Sequence, residues 1–241
     1  WIPTLASNFR VIRPHLRGHW DSTPAPDSYR WTVDGLVDDL KTFLDAMRLD
    51  AVHIVGESLG GFLGYHLAYR YPERLKTLTL ATAPGPNFKH HPLGKLRSFD
   101  ALHPVWGADE EWTARNAAEL GPENCALSEW SNSERWKCPE AATKGYFEAA
   151  ANCEVNEDEF LHGIGTRTLY LIGAENTKNV TVQEAQRLCD LMPQAELVTF
   201  PGVSARCQFV IPEKCASEGV RFANEQEQSV ARRSPGGASG R

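Results

Sequence analysis

The chain has 241 residues, of which 41% are hydrophobic and 23% are charged, and its formal net charge is −6 at pH 7. This length and balance are typical of one globular domain with a sizeable core. The negative charge and the lack of a basic run argue against nucleic acid or an anionic membrane as partner. No stretch reaches the roughly 20 apolar residues of a spanning helix. The opening WIPTLASNFR lacks a signal-peptide pattern, so we expect a cytoplasmic protein.

The six cysteines are scattered and form no CxxC pair. They also lack metal-like spacing with histidine, so we expect neither a zinc site nor another bound metal. Reduced structural thiols are the favoured interpretation. A disulfide between Cys125 and Cys138 is the alternative.

Short apolar, β-branched runs alternate with helical stretches along the chain, which predicts an α/β fold with a mostly parallel sheet flanked by helices. The predicted strands are residues 9–16 (FRVIRPHL), 51–56 (AVHIVG), 75–82 (LKTLTLAT), 167–173 (RTLYLIG) and 195–202 (AELVTFPG). The predicted helices are an amphipathic one capped by Thr32, one over 58–71, one through VQEAQRLCDLM and one over 213–224.

Residues 86–162 interrupt this alternation because they contain no strand-like run. We interpret them as a helical insertion. Residues 1–85 and 163–224 then form the α/β core. Residues 225–241 end in a polar, glycine-rich stretch, which predicts a disordered tail.

The most informative motif is G-x-S-x-G at Gly56, Glu57, Ser58, Leu59 and Gly60, directly after an apolar strand and before a helix. In this context the motif predicts a sharp turn that lifts a nucleophilic serine above the sheet. We expect both outer glycines to be required because a side chain at either would collide within the turn. The backbone N–H of Leu59 would face a developing oxyanion at the helix N-terminus.

In this order the motifs resemble those of the α/β-hydrolase superfamily from Trp1 to about residue 224. FRVIRPHLRGHWDS, GESLGG, YPERLKTLTLATA and TRTLYLIGAEN carry the resemblance. The segment 86–162 then corresponds to the cap of the family. A serine in the turn implies a hydrolase of esters, lactones, thioesters or carbon–carbon bonds rather than a dehalogenase or epoxide hydrolase. The resemblance implies no cofactor.

Members of this family need an acid and a histidine beside the serine. The acid follows the strand 167–173, where Asn176 occupies the usual aspartate position. Glu175 is the better carboxylate if the loop is shifted by one residue, and both alternatives stay open.

The histidine follows the strand 195–202, where the sequence reads Pro-Gly-Val-Ser-Ala, so Ala205 stands at its position. Pro212 and Glu213 support this register because the family often has Pro-Glu seven and eight residues after the histidine. His162 is the nearest histidine in the sequence that could replace the missing base, but it precedes the strand rather than following it.

Family members also have strands before residues 9–16, the third of which lies between the strands 9–16 and 51–56. We therefore expect the N-terminus to be incomplete. His15 and Trp20 depart from the usual aspartate and glycine of the following loop.

Two functions are compatible with these residues. The first is a serine hydrolase of small carboxylic esters or lactones that forms an acyl-enzyme at Ser58 but lacks its histidine. The alternative is a catalytically inactive, ligand-binding relative, which the departures at positions 15, 20, 176 and 205 favour. The sequence leaves the oligomeric state open.

Overall fold

The computed structural model describes residues 1–88, 113–114, 117–118, 120–135, 139–176, 180–203 and 206–233. Its central feature is a parallel sheet in the order β1-β2-β3-β4. The strands are Val52–Glu57 (β1), Leu75–Ala81 (β2), Thr168–Gly173 (β3) and Ala195–Phe200 (β4). The predicted α/β class is therefore confirmed.

Helices precede, connect and follow these strands. They are Ile2–Ala6 (α1), Val33–Ala46 (α2), Leu59–Arg70 (α3), Cys125–Arg135 (α4), Glu140–Ala151 (α5), Glu157–His162 (α6), Val182–Leu191 (α7), Cys207–Val210 (α8) and Pro212–Arg233 (α9). Short 3₁₀ helices span Pro72–Arg74 and Pro122–Asn124. The Thr32 hydroxyl accepts a hydrogen bond from the Gly35 N–H at 3.1 Å, which confirms the predicted cap of α2.

The two faces of the sheet carry separate apolar clusters. The larger cluster joins α2, α3 and α5 to the sheet and includes Phe62, Leu78 and Tyr170. The smaller cluster packs Cys207 and Phe222 against the inner strand β3. Because both faces are covered, β3 is buried along its whole length, as is usual for a parallel strand between two helical layers.

The predicted strand at residues 9–16 is wrong. Residues 10–16 follow α1 without helix or strand geometry. The alternating pattern is satisfied differently: Leu16 packs on the larger apolar cluster, and the Phe9 ring lies 5.4 Å from the ring of His53 on β1. A strand also needs a hydrogen-bonded partner, and none of the described strands pairs with this segment.

The predicted tail is wrong for residues 225–233, because α9 continues through Arg233. Its side chains are anchored beyond residue 224: Glu225 accepts from Arg221, and Glu227 accepts from Lys76 and contacts His53. Residues 234–241 lie outside the described part. Within 86–162, the described segments are helical where they are regular, and a division into core and cap stays a prediction.

Candidate active site

The carboxyl ends of all four strands meet at one edge of the sheet because the strands run parallel. Ser58 follows β1, Thr82 follows β2, Glu175 follows β3 and Gly202 follows β4. Open α/β sheets bind ligands at this edge. The sequence-predicted site residues on described segments therefore lie at this same edge, at strand ends, in loops or on the first turn of a helix.

Ser58 occupies a strained backbone conformation, with φ 47° and ψ −116°. A positive φ is uncommon for a residue other than glycine, and such strain concentrates at functional sites. The turn is tight because a Cβ at Gly56 would lie 2.5 Å from the carbonyl oxygen of Gly60. The chain thus reverses from β1 into α3 within one residue, and Ser58 stays exposed.

The second glycine of the motif is not required by packing, so that part of the prediction is wrong. A Cβ at Gly60 would meet no atom within 4 Å, because this residue faces open space on the first turn of α3. The glycine that packing does require is Gly61, where a Cβ would lie 2.3 Å from the Cβ of Ala83. In the sequence, the two adjacent glycines Gly60 and Gly61 are the pattern that could have indicated this packing requirement.

Leu59 is the first residue of α3. The first intrahelical bond runs from the N–H of Phe62 to the carbonyl of Ser58 at 2.9 Å, so the N–H groups of the preceding residues are the free donors of a helix N-terminus. Such donors, together with the helix dipole, favour a negative charge beside the serine. The backbone therefore offers the chemistry that an oxyanion needs.

A buried glutamine connects the serine turn to two other loops, and no sequence motif indicated it. Gln208, which is 6% exposed, donates from Nε2 to Oε1 of Glu57 at 3.1 Å. Its Oε1 accepts from the Thr82 hydroxyl at 3.3 Å. Gln208 lies on α8, shortly after position 205, so this amide links the segment that follows β4 to the turn that carries Ser58.

The two candidate acids have different surroundings. Glu175 is exposed, and its Oε1 accepts from the backbone N–H of Gly202 at 3.1 Å. Asn176 is buried, with 4% of its surface exposed. The loops after β3 and β4 are in close contact, because the N–H of Glu175 also donates to the carbonyl of Val203 at 3.0 Å. Both residues are therefore placed next to the segment that leads to position 205.

Ala205 lies outside the described residues. The neighbouring Arg206 has φ 49°, another left-handed conformation at this edge. His162 ends α6, and its Nδ1 lies 2.6 Å from the carbonyl oxygen of Asp158. The rings of His15 and Trp20 contact each other at an interplanar angle of 36°, with centroids 5.2 Å apart, and Trp20 is 43% exposed.

Neither a metal cluster nor a spanning helix was found in the described part of the chain. No group of three or more His, Cys, Asp or Glu residues there is arranged to hold a metal ion. No helix among the same residues is long and apolar enough to cross a membrane. Cys125 is a free, exposed thiol, whereas Cys138, its suggested disulfide partner, lies outside the described residues.

A family model described as the alpha/beta hydrolase fold matches residues 1–204. With the parallel sheet and the strained serine turn, this match shows that the chain belongs to the α/β-hydrolase fold family.

Among curated proteins, the chain is 36% identical over 106 residues to a 2-hydroxy-6-oxo-2,4-heptadienoate hydrolase from Pseudomonas putida. The aligned stretch covers 44% of this chain and 35% of that protein. It is 34% identical over 106 residues to a 2-hydroxymuconate semialdehyde hydrolase from a Pseudomonas strain, covering 44% of this chain and 34% of that protein. The chain thus spans about a third of the length of these relatives.

Solved structures match over most of the chain. A MenH structure from S. aureus has a TM-score of 0.77 at 17% identity, covering 94% of this chain and 87% of that one. A meta-cleavage product hydrolase from Pseudomonas fluorescens has a TM-score of 0.72 at 24% identity, and the match covers 93% of this chain and 83% of that one. At these identities the likeness shows the fold.

Proposed function

We propose that the chain is a serine hydrolase of small carboxylic esters or lactones that works through an acyl-enzyme at Ser58. The observation that carries the proposal is the strained turn at this serine, between a strand and a helix N-terminus. A serine at φ 47° costs the fold free energy, and residues held in such a conformation cluster at active sites. No cofactor enters this chemistry.

In this mechanism Ser58 Oγ attacks the carbonyl carbon of the substrate. The negative charge that forms on the carbonyl oxygen is stabilised by the N–H of Leu59 and by the dipole of α3. Collapse of this intermediate expels the alcohol and leaves the acyl group on Oγ, and water then releases the acid. Acylation and deacylation both need a base that takes a proton from the attacking oxygen and returns it to the leaving group.

The sequence has alanine at the position from which the family supplies that base. In a serine protease, loss of the triad histidine costs about a million-fold in turnover, or about 8 kcal/mol. We therefore propose that this chain is severely impaired as an enzyme. Oxyanion contacts and substrate binding would remain as the sources of residual activity.

Inactive ligand binding is the second candidate function. The residues that favour it are Ala205 and Asn176, because a single substitution would not account for both departures from a working triad. Under this alternative the protein keeps a pocket above Ser58 and has lost the chemistry.

The experiment compares the protein with its Ala205→His variant on p-nitrophenyl acetate. Ala205→His should hydrolyse the ester at least about a hundredfold faster if the imidazole reaches Ser58. Ser58→Ala in the same background should abolish the gain. 2-Hydroxy-6-oxo-2,4-heptadienoate is the second substrate to test, because the Pseudomonas putida relative is named for its hydrolysis. No gain with either substrate supports the inactive alternative.

A further inference from the structure

A cleft of about 780 Å³ opens at the opposite end of α3 from Ser58. It lies between the start of α2, the end of α3, the end of α5 and the segment that enters α6. Because α3 has 12 residues, its two ends lie about 18 Å apart at 1.5 Å per residue. No residue of the serine turn lines the cleft, so its ligand would be separate from the hydrolase substrate.

Three aromatic side chains, Trp31, Tyr69 and Phe160, give the cleft flat apolar walls. Tyr69 and Phe160 stack at 4.2 Å between ring centroids, and Tyr69 stays 42% exposed. The Trp31 ring lies directly against α5, where a Cβ at Gly145 would be 2.2 Å from it. These rings are therefore fixed before a ligand arrives, which lowers the entropy cost of binding.

The charged part of the lining is mainly acidic. It contains four carboxylates and one guanidinium, namely Asp34, Glu148, Glu154, Glu159 and Arg70. The guanidinium of Arg70 is already engaged, at 3.1 Å from carboxylate oxygens of Asp34 and of Asp38. With four carboxylates and one guanidinium, the lining is formally negative, which favours a cationic ligand over an anionic one.

A buried histidine adds a hydrogen-bond acceptor to this cleft. His66 lines it and is only 4% exposed. Its Nε2 lies 3.0 Å from the carbonyl oxygen of Pro86 and 3.9 Å from Sγ of Cys153. Because a carbonyl oxygen can only accept, Nε2 carries the proton. Burial lowers the pKa of His66 to about 4, so the ring is neutral at pH 7. Its Nδ1 then presents a lone pair, and within the described residues no hydrogen bond to Nδ1 is found.

We propose that this cleft binds an organic monocation, a protonated primary amine joined to a flat apolar group. The ammonium would donate to His66 Nδ1 and lie among the carboxylates, while the apolar group packs on the aromatic walls. Aromatic faces also attract cations directly. The proposal does not rest on hydrolase activity.

The first test measures binding of 2-phenylethylammonium by calorimetry at low salt, with 2-phenylethanol and 3-phenylpropionate as matched neutral and anionic probes. The amine should bind at least about tenfold more tightly than the alcohol, and added salt should weaken it. The anion should bind most weakly. Equal affinities for amine and alcohol would overturn the proposal.

Site-directed variants place the site. Glu159→Gln keeps the side-chain size and removes one charge from the cleft, and should weaken amine binding about fivefold. Glu213→Gln, the same change at an exposed position on α9, should leave it unchanged. Equal effects of the two substitutions would show that only the net charge matters and would overturn the assignment.

Two cysteines give a readout that needs no variant. Cys153 lines the cleft, whereas Cys125 is exposed on α4 and is not among the lining residues. Bound amine should slow alkylation of Cys153 by iodoacetamide at least about threefold, as followed by peptide mass spectrometry, because occlusion limits thiol access. Cys125 should react at the same rate with and without the amine. Unchanged alkylation of Cys153 at saturating amine would contradict the proposal.

Discussion

The Nε2 of Gln208 donates a hydrogen bond to Oε1 of Glu57 at 3.1 Å, across the edge of the sheet where Ser58 lies. Glu57 precedes the serine, and Gln208 follows position 205 by three residues. The same amide accepts from Thr82. One side chain thus connects the turn that presents the nucleophile to the segment from which a base would act.

Replacing Gln208 by leucine should destabilise the fold, because Glu57 loses its donor and Thr82 loses its acceptor. We expect a loss of about 1 to 2 kcal/mol in the free energy of unfolding, measured by urea denaturation. Gln186→Leu is the matched control, since Gln186 is exposed on α7 and donates to the neighbouring Asp190. A loss at Gln208 no larger than at Gln186 would show that the bridge is unimportant.

The two adjacent glycines of α3 should respond oppositely to alanine. Gly61→Ala forces a methyl group to within 2.3 Å of the Cβ of Ala83 and should cost about 2 kcal/mol or more. Gly60→Ala meets no atom and should raise stability by about 0.5 to 1 kcal/mol, because alanine loses less backbone entropy in a helix. Thermal unfolding of both variants measures the contrast. Similar destabilisation by both substitutions would contradict the packing described at this turn.

His66 should make stability depend on pH in the acidic range. Burial lowers its folded pKa from 6.5 to about 4, so between these values the unfolded chain takes up a proton that the folded protein does not. The contribution of the neutral ring is therefore fully present above pH 6.5 and is lost as the pH falls to 4, by about 2 to 3 kcal/mol.

Urea unfolding at several pH values measures this dependence. His66→Leu should flatten the slope over that range, while part of it remains because burial also lowers the pKa of His19 and of His53. An unaltered slope in His66→Leu would contradict the assignment.

Much of the fold could be predicted from the sequence, because the strands after residue 50 are short apolar runs bounded by turns and the helices are amphipathic. Residues 9–16 could not, since their pattern shows only that side chains alternate, whereas a strand also requires a partner. The motif placed Ser58 in its turn. It did not distinguish Gly60 from Gly61, because that difference depends on the contact with Ala83 on another loop.

We expect position 176, in the loop after β3, to be the place from which a carboxylate can support the histidine. Asn176 is buried there, while the exposed Glu175 is bonded to Gly202. In the Ala205→His background, Asn176→Asp should raise ester turnover at least about tenfold, since a carboxylate orients and stabilises the imidazolium. Glu175→Gln should change it less than about twofold. Steady-state kinetics would favour Glu175 instead if Glu175→Gln abolished turnover and Asn176→Asp had no effect.

The central claim is that Ser58 is positioned as a nucleophile and that its base is missing. Intact-protein mass spectrometry after exposure to a fluorophosphonate measures this directly, with peptide mapping to locate the adduct. We predict slow or negligible labelling of the protein as it stands, rapid stoichiometric labelling of Ala205→His at Ser58, and none of Ala205→His with Ser58→Ala. Absence of an adduct at Ser58 in the folded Ala205→His variant would contradict the account.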